Sequence, residues 1–177
     1  MRWKDSLIEE LIRELRNDKN WDSIRTKLEH NENIGIHLAI FNEPYLSLIF
    51  DGQKSIESRF SIKKISPYKR INSGDLVVLK KSGGPVMGVF IAGEIKFFNK
   101  ISDNHWEYIE KKYGNLICTH FDSEFWSKRE NTQYATLIDI ENIKKLTPFK
   151  INKKDRSGWS LIHQNNSKDL FKDVYAK

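Results

Sequence analysis

Residues 43–60, EPYLSLIFDGQKSIESRF, join a short helix to a strand through a glycine turn. Asn42 is a good cap for a helix over Glu43–Phe50 with Pro44 in its first turn, where a missing amide costs no hydrogen bond. Leu46, Ile49 and Phe50 form its apolar side, and Gly52 is placed to end it in a left-handed turn. Beyond the turn, residues 54–60 alternate. Ile56, Ser58 and Phe60 share one face, and Ser55, Glu57 and Arg59 the other. Glu57 and Arg59 can therefore pair or converge on one ligand, with Lys54 at the mouth of the strand. The plain alternative is an ion-pair ladder on the surface, which adds little stability.

Working outward, Ile36–Phe41 reads as the strand before this unit. Leu7, Ile8, Leu11, Ile12 and Leu15 recur at helical spacing over residues 3–16, and Trp21, Ile24 and Leu28 over 21–29. Downstream, Asp75–Lys81 is a strand, Ser82-Gly-Gly-Pro85 a turn, and Val86–Ile95 a returning strand. Gly88 and Gly93 in that strand predict bulges or sharp curvature. Asp103–Tyr113 predicts a helix closed by Gly114, Ser123–Glu130 a shorter one, and Tyr134–Ile140 and Gly158–Ile162 further strands. No regular β-α-β alternation is present. The fold class expected is α+β: a small mixed β-barrel with short helices across its openings, preceded by a helical hairpin. Three segments follow: a helical appendage over 1–30, a barrel domain over 31–163, and a polar tail over 164–177 with one helical turn around Leu170–Tyr175.

The chain has 177 residues, 38% of them apolar and 12% aromatic, enough to fill a core and to exclude global disorder. Its longest apolar runs are far short of the roughly 20 residues that span a bilayer. The first fifteen residues mix charges among apolar positions, unlike a signal peptide. Cys118 is the only cysteine, which excludes an internal disulfide and a multi-cysteine zinc site. A cytoplasmic protein with no membrane partner is expected.

Net charge is +6, unevenly spread. Residues 1–30 carry seven basic and seven acidic side chains, while residues 54–81 carry eight basic (Lys54, Arg59, Lys63, Lys64, Lys69, Arg70, Lys80, Lys81) and two acidic, Glu57 and Asp75. Lys150, Lys153, Lys154 and Arg156 form a second basic run. Concentrated charge of this kind attracts polyanions, although a solvated lysine-rich surface looks the same in a sequence.

The helix–turn–strand unit over residues 43–60 resembles the ASCH (activating signal cointegrator homology) domain of the PUA-like superfamily. The matching residues are Pro44 and Tyr45, then Ser47 and Leu48, then Gly52-x-Lys54-x-x-Glu57-x-Arg59. Gly74-Asp75 before an apolar strand, the Lys81–Pro85 turn, Gly88 and Gly158-Trp159 add to it, so that the resemblance spans about residues 36–162. It implies a PUA-like β-barrel whose motif lines a cleft receiving RNA or a nucleobase. Some members are small hydrolases, including amidohydrolases acting on acetylated cytidine. In those, the lysine matching Lys54 works with a threonine three positions later and a downstream glutamate. Here Glu57 stands at the threonine position, and Glu107 and Glu110 are the candidates for the later carboxylate. Ribonuclease activity is associated with a few members, and nothing in this chain marks its residues.

The expected function is therefore binding of RNA or a nucleotide-containing ligand. Lys54, Glu57, Arg59 and Tyr45 would line the cleft, Lys80, Lys81 and Ser82 its rim, and Lys63, Lys64, Lys69 and Arg70 would steer the nucleic-acid backbone. A carboxylate could accept from an exocyclic amine, and a basic side chain could hold phosphate or a base carbonyl. Tyr45, Tyr68 and Trp106 are candidate stacking partners, each equally readable as core. Two alternatives stay open: a hydrolase with Lys54 and Glu57 as acid–base residues, and a protein-docking module using the N-terminal helices. The five histidines show no metal spacing, Cys118 has no identifiable base, and the Ser82 turn lacks the pattern of a P-loop. No cofactor or metal is expected. The oligomeric state is left open.

Overall fold

The computed structural model describes residues 2–165. The expected helical turn at Leu170–Tyr175 lies outside them. Six strands form one curled mixed sheet: β1 (Ile36–Phe41), β2 (Ile56–Ser61), β3 (Leu76–Lys81), β4 (Val86–Asn99), β5 (Tyr134–Phe149) and β6 (Trp159–His163), in the spatial order β2-β5-β4-β3-β1-β6. The pair β1–β3 is parallel and the other pairs are antiparallel. Four α-helices accompany the sheet: α1 (Trp3–Leu15), α2 (Asp22–Glu29), α3 (Tyr45–Phe50) and α4 (Asp103–Ile117). This is the expected α+β class, a curled mixed sheet accompanied by short helices.

The centre of the sheet is covered on both sides. Leu76 and Val78 of β3 face Leu7, Leu11 and Leu15 of α1, while Val77 and Leu79 face inward to Phe90, Leu46 and Trp159. That is why β3 reads as a continuous apolar run rather than an alternation. The expected curvature is present. β4 and β5 are long and shift register repeatedly, at Val86/Gly88, Val89/Ile91 and Ala92/Ile95. A side chain at Gly88 would place its Cβ 2.7 Å from the Lys144 carbonyl oxygen and the Phe50 ring, so only glycine lets β4 curl there.

Five elements differ in extent or type from the sequence expectations. Helix α3 begins at Tyr45 rather than Glu43, with Pro44 and not Asn42 in the capping position, and the Glu43 side chain ahead of it accepts from the Ser47 amide and hydroxyl. Helix α4 runs through Gly114 to Ile117 and stops at Cys118, whose φ of 64° is left-handed. The segment after α4 holds only 3-10 turns, at Thr119–Phe121 and Ser127–Arg129. β4 and β5 extend to Asn99 and Phe149 because each pairs along most of the other. Gly52, with φ 75°, ends α3 as expected.

A buried polar network that no spacing announced fixes the start of the sheet. Asp75 accepts from the amides of Gly35 (3.0 Å) and Asn72 (2.8 Å) and from His37 Nε2 (3.1 Å). The indole of Trp159 donates to His37 Nδ1 at 3.1 Å. An indole N–H only donates, so the proton of a neutral His37 sits on Nε2 and points at Asp75. This one chain of bonds ties β1, β3 and β6 together.

Candidate functional site

The two ends of the sheet order, β2 on one side and β1–β6 on the other, approach each other at a seam without a backbone ladder. Side chains bridge it. Arg59 of β2 donates from one terminal nitrogen to the Ile40 carbonyl of β1 (3.0 Å) and from the other to the Gly158 carbonyl just before β6 (3.2 Å). Its guanidinium lies over the rings of Phe41 (5.0 Å) and Trp159 (5.1 Å). A cavity of about 280 Å³ opens along this seam, lined by Ile40, Phe41 and Asn42 on one side and Glu57, Ser58, Arg59 and Phe60 on the other. Tyr45, Lys54, Phe125 and Arg129 complete the wall.

The polar floor is held rigidly. Glu57, 4% exposed, receives Arg59 Nε at 2.6 Å on one oxygen and Lys54 Nζ at 3.3 Å on the other. Lys54, 3% exposed, also donates to the carbonyls of Ile56 (2.7 Å) and Ile117 (3.2 Å). Two of the three ammonium donors of Lys54 are thus committed to backbone carbonyls, and its charge is paired with Glu57. The Ile117 carbonyl is one of the unpaired groups at the end of α4, and a cation there is favourable. That interaction explains why α4 outruns Gly114. Burial pushes the pKa of Lys54 down from the ordinary lysine value, and the Glu57 charge opposes the shift. The surface ion-pair ladder is thus excluded, since the pair is buried and shared among three groups.

Two further groups face the cavity with polar capacity. The Tyr45 hydroxyl is buried and has no hydrogen-bond partner among the described residues, and burial raises its pKa. Buried hydroxyls are nearly always paired, so an unpaired one beside a cavity is free to donate to an acceptor. Arg129 lies 3.7 Å over the Phe125 ring and donates to the Phe125 carbonyl at 2.6 Å. Burial lowers its pKa, which marks a cation already partly stripped of water. The lining carries three cations against one carboxylate. It is an aromatic-walled slot with net positive charge and one fixed acceptor.

The structure brings together Tyr45, Lys54, Glu57 and Arg59 from the sequence expectations. Lys80, Lys81 and Ser82 do not line the cavity. Lys80 donates to the Gly84 carbonyl (2.7 Å), Lys81 pairs with Glu43 (3.7 Å), and the Ser82 amide donates to the Phe41 carbonyl (2.8 Å). Lys63, Lys64, Lys69 and Arg70 are exposed on the loop after β2. Of the stacking candidates, Tyr68 packs on Phe97 and Tyr134, and Trp106 on Phe60 and Trp126. Glu107 and Glu110 are exposed on α4 and line a separate surface depression. Sequence reasoning did not assign Phe41, Phe60, Phe125 or Arg129 to the site. Phe60 falls on the opposite strand face from Glu57, and Arg129 lies about 70 residues away; the one signal was the cluster of aromatic and basic residues in Phe125-Trp-Ser-Lys-Arg129.

No protein-family model matches the sequence, and no curated protein matches it significantly. Solved structures do. ASCH from Zymomonas mobilis superposes with a TM-score of 0.55 at 12% identity, covering 71% of this chain and 86% of that one. A tyrosine-to-phenylalanine variant of the same protein gives 0.56 at 12% identity, covering 73% and 91%. A serine-to-alanine variant gives 0.52 at 13%, covering 66% and 75%. Identity this low speaks for architecture alone, and on architecture the agreement spans most of both molecules: the chain has the ASCH fold.

Proposed function

We propose that this chain is an ASCH domain protein that binds RNA, taking one unstacked nucleotide into the seam between β1 and β2. The observation that carries this reading is the Glu57 carboxylate, buried and clamped by Lys54 and Arg59 on the floor of an aromatic-walled, positively charged slot. Its volume suits a base or a nucleoside. Phe41, Phe60 and Phe125 make the walls apolar, and bases in single-stranded RNA are read by contact with aromatic side chains and by hydrogen bonds to their edges. Glu57 can accept from a further donor such as an exocyclic amine or ring N–H, while Arg129 and the Tyr45 hydroxyl offer donors to a carbonyl or phosphate oxygen. Lys63, Lys64, Lys69 and Arg70 supply sequence-independent attraction to the backbone.

The two alternatives fare less well. A hydrolase using Lys54 needs a lysine free to exchange a proton with substrate, yet Lys54 is buried, donates to two backbone carbonyls and is ion-paired with Glu57. A docking module built on the N-terminal helices needs an apolar face, and Leu7, Leu11 and Leu15 are fully buried against the sheet.

The test is fluorescence anisotropy of a labelled single-stranded RNA at low and moderate salt, with Glu57→Gln and Arg129→Ala beside the wild type. Salt-sensitive binding weakened at least about tenfold by each folded variant is the expected result. Binding unaffected by both would move the RNA site off the seam, and absence of binding would end the RNA reading.

A further inference from the structure

The loop from Ser61 to Arg70, SIKKISPYKR, follows the cavity strand directly, one residue separating Phe60 from Ile62. It displays Ile62 at 65% exposure and Ile65 at 59%, the two most exposed large apolar side chains among the described residues. A lone exposed isoleucine needs no explanation. Two on one short loop do, because the loop is not slack. The Ser61 hydroxyl donates to the Lys63 carbonyl (2.8 Å), the Ile65 amide to the same carbonyl (2.9 Å), and the Tyr68 amide to the Ile65 carbonyl (3.0 Å). Pro67 and Tyr68 are buried as a plug, with Tyr68 against Phe97 and Tyr134. The isoleucines are therefore held out in water by a braced frame, a preorganised apolar surface.

Charge selects the partner. Residues 58–74 contain Arg59, Lys63, Lys64, Lys69 and Arg70 and no carboxylate. A partner that accepts apolar side chains between such cations is anionic and has apolar faces of its own. Stacked bases framed by phosphates meet both conditions, and apolar side chains are known to enter base steps as wedges. The site next door asks for an unstacked nucleotide. We infer that the 61–70 loop is a wedge: Ile62, with Ile65 beside it, enters the last base step of an RNA helix at its junction with a single strand, while Lys63, Lys64, Lys69 and Arg70 hold the flanking phosphates and the adjoining nucleotide enters the seam. This inference rests on the RNA reading of the seam and adds to it the kind of RNA recognised, a helix–single-strand junction.

The test compares two labelled RNAs, a hairpin carrying a single-stranded overhang and the overhang strand alone, with 2-aminopurine at the junction of the first. Wild type and Ile62→Ser/Ile65→Ser are measured on both, with vesicles of phosphatidylcholine and phosphatidylserine as a further arm. Both positions are exposed, so the variant keeps the fold, checked by its melting curve. The wedge predicts tighter binding of the junction RNA by wild type, a rise in 2-aminopurine fluorescence, and a loss of about tenfold in the variant on the junction RNA only. Equal binding of the junction RNA by variant and wild type, or no fluorescence rise, overturns the wedge while leaving the seam reading intact if the single strand still binds. Isoleucine-dependent vesicle binding without an effect on RNA overturns it in favour of a membrane surface. Failure of wild type to bind either RNA overturns both readings.

Discussion

The two flanks of this sheet solve opposite problems. Where α1 and α2 cover β1 and β3, the packing is dry: Leu7, Leu11 and Leu15 meet Ile36, Leu38, Leu76 and Val78, and all are buried. At the seam between β1 and β2, the junction is polar: Arg59, ion-paired with Glu57 beside Lys54, donates to the Ile40 carbonyl across strands that share no ladder. The first arrangement is stabilised by area removed from water and tolerates no ligand. The second brings charges out of water, and their mutual attraction offsets that cost only while every partner stays in place. An assembly of that kind is a poor way to stabilise a fold.

Breaking the dry side should be the most destabilising. Leu11→Ala is expected to cost about 3–5 kcal/mol in chemical denaturation, leaving RNA affinity of the folded fraction unchanged. A loss below about 1 kcal/mol would mean that α1 does not share the core. At the seam, Glu57→Gln keeps the shape and removes the charge facing Arg59 and Lys54. It should cost about 2–3 kcal/mol and weaken RNA binding at least about tenfold, the reverse of the Leu11 pattern. A variant as stable as wild type would show that the triad is not buried as described.

The seam also has a pH signature. With the Lys54 pKa held below the ordinary 10.5 by burial, the unfolded chain binds a proton that the folded chain lacks between the lowered value and 10.5. Stability contributed by Lys54 therefore rises with pH across that window. The melting temperature of wild type relative to Lys54→Met should climb as pH approaches about 10, and a flat difference would contradict the desolvation of Lys54. The mildest effect is expected on the exposed loop. Lys63→Ala/Lys64→Ala should leave the melting temperature unchanged and flatten the salt dependence of RNA binding by about 0.7 in log–log slope for each phosphate no longer neutralised. An unchanged slope would place those lysines off the RNA path.

Much of this contrast is legible in the sequence. The four-residue spacing of Leu7, Leu11 and Leu15 marks the buried helix face, the unbroken Leu76–Leu79 run marks a strand covered on both sides, and Gly52 marks the end of α3. Those features depend on local periodicity and backbone freedom, which neighbouring residues carry by themselves. The extension of α4 was hidden because the cation that caps it, Lys54, lies 63 residues upstream of Ile117. The His37–Asp75–Trp159 network was hidden for the same reason, its members standing far apart in the chain.

The seam divides along that line. Lys54, Glu57 and Arg59 stand within six residues, so turn geometry and strand alternation were enough to deliver them to one place. Whether they would lie on a surface or in a cleft was settled by chain segments far from them. The curl of β4 and β5 sets β1 opposite β2, the end of α4 supplies a carbonyl acceptor for Lys54, and the turn after it brings Phe125 and Arg129 over the slot. Local order in the chain chooses the chemistry of a group, and long-range packing chooses its solvent. For a carboxylate between two cations, the solvent makes the difference between a weak surface pair and a fixed acceptor on the floor of a cleft.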